Sequence, residues 1–86
     1  MNPRIQNHEG YAGVFTREQS IVAKYRNGSR VAKVRTEKGD TNPIGVTGIV
    51  LGSINHPDLG VGYFIEWDHF PRIAVFVVEW KLGAQH

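Results

Sequence analysis

The feature that most restricts the fold is an apolar stretch, residues 61–82, which holds six of the nine aromatic residues of this 86-residue chain. Two runs rich in aromatic and β-branched side chains flank a short break at 68–72, a pattern typical of two strands joined by a hairpin or a sharp corner. Because such side chains bury the most apolar area, we expect them to supply most of the core. The fold is therefore predicted to be built around this pair of strands.

The length and composition of the chain are those of one small domain. Residues 1–14 show no apolar period and are predicted to be a flexible arm, whereas residues 15–86 are predicted to form a single domain. The chain contains no cysteine, which excludes disulfides, thiolate metal sites and a cysteine nucleophile. It also lacks an apolar run of about 20 residues and a secretory signal, so we expect a cytoplasmic protein without a membrane segment.

Residues 15–28 are compatible with two local structures. The spacing of Thr16 and Gln19 matches a helix capping box, and Asn27-Gly28 is a common helix stop. Together these signals predict a short helix over 17–26, which we prefer. That helix would make the segment a helical extension in front of the strands.

The preferred helix would place Ile21, Val22 and Tyr25 on one apolar stripe that faces the rest of the domain. The alternative is a β-hairpin in which residues 21–26 pair with the strand that follows. Asn27-Gly28 would then form the turn, because both residues tolerate the positive φ angles of a tight hairpin. The sequence alone is compatible with both the helix and the hairpin.

From residue 29 onward the pattern predicts short strands separated by turns and loops rich in glycine, proline and asparagine. The predicted strands are 29–35, 44–54, 62–67 and 73–78, followed by a short terminal segment at 80–82. Alternation in the third strand places Tyr63, Ile65 and Trp67 on one face. The second strand contains three glycines that are typical of bulges or bends in a small barrel: Gly45, Gly48 and Gly52. The sequence therefore predicts an all-β fold.

The order of these signals resembles the Src-homology-3-like (SH3-like) barrel. The resemblance rests on Gly28-Ser29-Arg30-Val31, Ile44-Gly45-Val46-Thr47-Gly48-Ile49-Val50, Tyr63-Phe64-Ile65-Glu66-Trp67-Asp68 and the apolar run that ends at Leu82. It covers residues 28–82 and is similar to the barrels of KOW-type domains and of the nitrile hydratase β subunit. The resemblance implies an SH3-like small barrel of about five strands with an N-terminal extension. Since barrels of this type host many functions, it implies no activity.

Residues 62–66 and 73–77 also resemble two strands of the plasmid-borne (type II) dihydrofolate reductases, which are SH3-like barrels of similar length that work as homotetramers. In that family a Val-Gln-Ile-Tyr motif supplies the polar groups that bind cofactor and folate. The corresponding stretch of this chain, residues 74–77, reads Ala-Val-Phe-Val and lacks both the glutamine and the tyrosine. The resemblance therefore does not extend to reductase activity.

Catalytic and metal-binding signals are weak. An acidic residue and a histidine adjoin at Asp68-His69, but successive strand residues point to opposite faces and corner residues are usually exposed. His56 and His69 do not have the spacing of a metal site. The sequence predicts no catalytic residue, no metal site and no cofactor, and we expect a non-enzymatic protein.

The apolar residues around 64–78 exceed what one core face can hold, because alternate residues of a strand point to opposite sides of a sheet. Some of them must be covered by the N-terminal segment, by a second copy or by a ligand. We expect partial cover by the N-terminal segment together with an interface to a second copy, giving a homodimer or a higher oligomer. The predicted interface residues are Phe64, Phe70, Ala74, Phe76 and Val78.

Charge is distributed unevenly along the chain. Residues 17–38 carry seven basic and two acidic side chains, whereas residues 39–86 carry two basic and five acidic side chains. Basic residues on the first strand, expected to be exposed, and in the loop after it give a possible nucleic-acid-binding surface. Its residues would be Arg30, Lys33, Arg35 and Lys38. We prefer the alternative, in which short exposed strands carry Lys and Arg and the opposite charges of the two halves neutralise each other within the fold or across a dimer.

The sequence is therefore compatible with three functions. The first is a small non-enzymatic binding or assembly module that self-associates through apolar strand faces, with another protein as a further possible partner. The second is a nucleic-acid-binding barrel that uses the basic strand. The third is a small-molecule site at an oligomer interface.

Overall fold

The structure, a computed structural model, describes residues 19–85. Over this range the strands are β1 (Arg30–Lys33), β2 (Thr47–His56), β3 (Gly60–Trp67), β4 (Val75–Val78) and β5 (Leu82–Ala84), with a 3₁₀ turn at Glu79–Lys81 before β5. All five strands belong to one antiparallel sheet in the order β4-β3-β2-β1-β5. The prediction of an all-β fold is confirmed, whereas the predicted flexible arm at 1–14 lies outside the described residues.

The two longest strands, β2 and β3, form the centre of the sheet. Their register shifts between Val50 and Gly52, which marks a β-bulge in β2, as the glycines of this strand predicted. Gly48 is needed for another reason, since a Cβ there would lie 2.6 Å from the backbone oxygen of Glu66 on β3. Glycine thus permits close approach of the two strands at one position and accompanies a bend at another.

The core lies on one face of this sheet. Tyr63, Ile65 and Trp67 are completely buried, so the predicted alternation of β3 is confirmed. The remaining buried members of this cluster come from the other strands and the N-terminal segment: Tyr25, Val31, Val50, Val77 and Leu82. The aromatic stretch 61–82 supplies the bulk of the core, as its composition predicted.

Residues 19–26 form turns and bends, so neither the predicted helix over 17–26 nor the alternative strand at 21–26 is present in the described part. Tyr25 is buried, but Ile21 and Val22 are exposed, so the predicted stripe does not form. The reason is that backbone N–H groups in the middle of the segment bond to the sheet rather than to a preceding helical turn. The hydroxyl of Tyr63 accepts hydrogen bonds from the backbone N–H groups of Lys24 and Tyr25, at 2.8 and 3.1 Å.

The first strand is also less exposed than predicted. It lies between β2 and β5, and it is shorter than the predicted range of 29–35. Val31 and Lys33 are buried, whereas Val34 is exposed beyond the end of the strand. The strand is buried because it pairs with a neighbour on both edges. The many charged residues of the segment had predicted an exposed strand instead.

Candidate functional site

A second apolar face lies on the side of the sheet opposite the core. Phe64 on β3 is paired with Phe76 on β4, and Gly62 is paired with Val78. Because their strand neighbours Tyr63 and Val77 belong to the core, these residues point the other way. The rings of Phe64 and Phe76 are in contact edge to face, with centroids 5.5 Å apart.

Gly62 determines how Phe76 lies on this face. A Cβ at position 62 would overlap the Phe76 ring, so the ring lies directly over the β3 backbone. Ile54 on β2 is paired with Gly62 on its other side and extends the same face. We call Ile54, Phe64, Phe76 and Val78 the outer face; all four are partly exposed.

Of the five predicted interface residues, the structure brings three together on the outer face: Phe64, Phe76 and Val78. Ala74 is half-buried immediately before β4. Phe70 lies in the turn after β3, 47% exposed, with its ring stacked near that of His69. Sequence reasoning missed Ile54, although its alternation with the buried Ser53 could have identified it.

The outer face ends at an edge of the sheet. β4 is the last strand in the sheet order, and no described residue pairs with its free edge. Its sequence is Val-Phe-Val-Val, without the charge, proline or bulge that commonly protects an edge strand. The apolar outer face is therefore continuous with the unpaired edge of β4.

The predicted basic residues do not form one free cationic surface. Arg30 makes a bidentate ion pair with Asp68, with one Nη to Oδ distance of 2.9 Å, and this hydrogen bonding raises the pKa of Arg30. Lys33 is buried in contact with Asp40. Arg35 donates to the carbonyl of Trp80 at 2.9 Å, and Lys38 lies exposed in a turn. Three of the four are thus engaged within the fold.

Asp68 and the histidines His56 and His69 also have structural partners. The Asp68 carboxylate accepts from Thr47 as well as from Arg30, whereas His69 Nε2 lies 3.1 Å from the side-chain oxygen of Asn42. His56 Nδ1 accepts two backbone N–H groups of the turn that follows it. In the part of the chain that the structure describes, no three metal-binding side chains lie together. The side chains of Asp68 and His69 therefore form hydrogen bonds with different neighbours.

A buried ion cluster joins parts of the chain that are distant in sequence. The Asp40 carboxylate lies 3.0 Å from Lys33 Nζ and 2.9 Å from Lys81 Nζ. Hydrogen bonds from Lys81 and Lys33 hold the pKa of Asp40 well below its usual range. For Lys81, burial lowers the pKa, but bonds to Glu37 and Asp40 raise it and prevail. The cluster fixes the loop between β1 and β2 against the 3₁₀ turn.

Tyr63 forms a second buried polar contact. Its hydroxyl donates to the carboxylate of Glu79 while it accepts the two backbone N–H groups of Lys24 and Tyr25. Burial, and then the bond to Glu79, raise the pKa of Tyr63. This phenol therefore stays protonated and anchors the N-terminal segment to the sheet.

Comparison of the chain with protein-family models, with curated proteins and with solved structures finds no match. Among the residues that the structure describes, no helix has the length and apolar character needed to span a membrane. The geometry of the outer face and of the ion cluster is therefore the basis for a functional proposal.

Proposed function

We propose that this protein is a non-enzymatic binding and assembly module, an SH3-like small barrel that self-associates through its outer face. Five short antiparallel strands with a bulge in the longest one are compatible with a small curled sheet. The observation that carries the proposal is the contact of Phe64 with Phe76 on the side of the sheet away from the core.

A second copy of the chain is the partner that fits this surface best. A two-fold axis beside β4 would pair the edge of one β4 with that of its copy, since such an interface uses the same patch on both subunits. The uncharged Val75–Val78 edge places no like charges opposite each other. The same operation would bring the two Phe76 side chains next to each other and extend the apolar contact across the axis.

The proposal is tested by substituting the outer face and measuring the association constant by sedimentation equilibrium. Phe76→Asp and Val78→Lys should each weaken association at least tenfold, equivalent to about 1.4 kcal/mol, because each places a charge at the apolar contact. The matched control is Ile44→Asp, which adds the same charge at an exposed turn residue remote from β4 in sequence.

Far-UV circular dichroism and thermal melting show whether each variant is folded, which matters because Phe76 also packs on Gly62. Val78→Lys provides the second folded probe if Phe76→Asp unfolds. Self-association that is equally strong in both folded variants and in the control would exclude the outer face as the interface. A native protein that stays monomeric at high concentration would overturn the proposal as a whole.

A further inference from the structure

The turn that joins β2 to β3, residues 57–59, is closed by a side chain. The backbone N–H groups of Asp58 and Leu59 both donate to Nδ1 of His56, each at 3.1 Å. No backbone oxygen of a described residue accepts either of these groups. The imidazole of His56 is therefore the acceptor that the fold provides for both N–H groups of the turn.

This geometry defines the protonation state of His56. An imidazole nitrogen accepts a hydrogen bond only when it carries no proton. Because Nδ1 accepts two hydrogen bonds, His56 is the neutral ring with its proton on Nε2. Imidazole gains a second proton between about pH 5 and 8, and that proton would lie on Nδ1, where the two backbone N–H groups point. Both hydrogen bonds would then be replaced by repulsive contacts between N–H groups.

His69 shows that this consequence is specific to the geometry at His56. Its Nε2 lies 3.1 Å from the side-chain oxygen of Asn42. Since that oxygen is an acceptor, Nε2 of His69 donates, and it carries a proton in the neutral ring and in the imidazolium alike. Protonation of His69 adds a proton at Nδ1 and leaves this hydrogen bond intact. The same titration thus breaks the contacts of one histidine and preserves the contact of the other.

The surroundings of His56 allow it to exchange protons with solvent. Its side chain is partly exposed, and Asp58, the other titratable residue of the turn, is exposed. Across the hairpin, β3 presents Gly60 opposite His56 and Val61 opposite Asn55, and neither carries a charge. Water can therefore protonate the ring and can also accept the N–H groups that protonation releases.

We propose that His56 is a pH-sensitive cap of the β2–β3 turn, which is closed while the imidazole is neutral and opens when it is protonated. In the open turn the N–H groups of Asp58 and Leu59 bond to water. The strands remain paired along the rest of their register, so the change is confined to this end of the central hairpin. The inference concerns a single chain and is independent of self-association.

The test is the solvent-exchange rate of the Asp58 and Leu59 amide protons, measured by NMR on the ¹⁵N-labelled protein and divided by the rate of an unstructured amide at the same pH. From about pH 8 to about pH 5, the range in which imidazole titrates, this ratio should rise at least about fivefold, as expected for the net loss of one hydrogen bond. The midpoint of the rise should match the titration of the His56 ring. The amide of Phe70, which donates to the Trp67 carbonyl at 3.0 Å beside His69, is the internal control and should keep a constant ratio.

His56→Asn separates the effect of the proton from the need for an acceptor. An asparagine side-chain oxygen accepts the backbone N–H two residues further on and does not titrate, so the Asp58 ratio should stay low at both pH values. His56→Ala removes the acceptor, and its ratios should be high at both. Far-UV circular dichroism shows that each variant is folded.

Two controls assign the response to His56. Asp58→Asn removes the carboxylate of the turn and His69→Gln removes the other described histidine, and both should retain the response of the wild type. Ratios that stay constant in the wild type while the His56 ring titrates would overturn the proposal. A wild-type response in His56→Asn, or a lost response in Asp58→Asn, would do the same.

Discussion

Arg72 shows how a single buried carboxylate shapes the turn after β3. It is the one non-glycine residue among those described that has a positive φ, 67°. Its backbone N–H donates to Glu66 Oε2 at 2.5 Å, and Glu66 is buried on the strand before the turn. The sequence did not reveal this role, because an acidic residue that alternates with Ile65 and Trp67 predicts an exposed position.

Replacing Arg72 with glycine should increase the free energy of unfolding by up to about 1 kcal/mol. Relief of the left-handed backbone at this position contributes roughly 1–2 kcal/mol, and the greater chain entropy of glycine in the unfolded state offsets part of it. Urea unfolding of the variant and the wild type measures the difference. The control is Lys38→Gly, at a residue without positive φ, which should be slightly less stable than the wild type; equal losses in both variants would contradict the strain at Arg72.

The loop between β1 and β2 is organised by Asp40. Residues 36–43 were predicted to be a loop and contain no strand, but the composition did not indicate that the loop would close over two lysines. Lys33, Asp40 and Lys81 lie in three separate segments, and only the pairing of β1 with β5 brings their side chains together. Such a cluster depends on long-range topology, so its members could not be selected from the sequence.

Asp40 should make the stability of the fold sensitive to acid. Its folded-state pKa is lowered by bonds from Lys81 and Lys33, so the unfolded chain takes up a proton before the folded chain does as the pH falls. The stability that Asp40 contributes is therefore present above its unfolded pKa of about 4 and is lost as the pH falls below that value. Asp40→Asn should show a smaller decrease of Tm between neutral and acidic pH than the wild type.

Thermal melting across this pH range measures the effect, and Asp58→Asn is the matched control. Asp58 lies in the exposed turn between β2 and β3, so its removal should leave the decrease of Tm with acid as large as in the wild type. A wild-type slope in Asp40→Asn would mean that the ion cluster does not contribute to acid sensitivity.

The strands were easier to predict from the sequence than the ion cluster was. Alternation identified the buried side of β3 correctly because one face of that strand packs in the core and its period is two. The segment 19–26 was predicted wrongly because its conformation depends on hydrogen bonds to Tyr63, a residue about 40 positions away. Local propensity determines the conformation of such a segment only when no distant side chain forms hydrogen bonds with its backbone.

The candidate interface was partly predictable for the same reason. The apolar residues near 64–78 exceed the capacity of one core face, which predicted that some of five side chains point away from the core. Phe64, Phe76 and Val78 do so. Phe70 and Ala74 flank β4 outside its ends, where alternation no longer fixes the direction of a side chain. The free edge of β4 became apparent only from the sheet order.

For the molecule as a whole, the outer face is the surface that carries the proposed function. The outer face is apolar, so association through it should persist when salt screens charges. A measurement of mass at low and at high salt therefore tests this surface directly.

The most informative measurement is the solution mass of the native protein by light scattering, at about 0.05 M and about 1 M salt, over which the Debye length falls severalfold. Self-association through the outer face predicts at least a dimer at both salt concentrations, with a mass of about 19 kDa, twice the 9.6 kDa of one chain. A mass of 9.6 kDa at both salt concentrations would contradict self-association. A dimer that dissociates at high salt would contradict the apolar interface and indicate an ionic one.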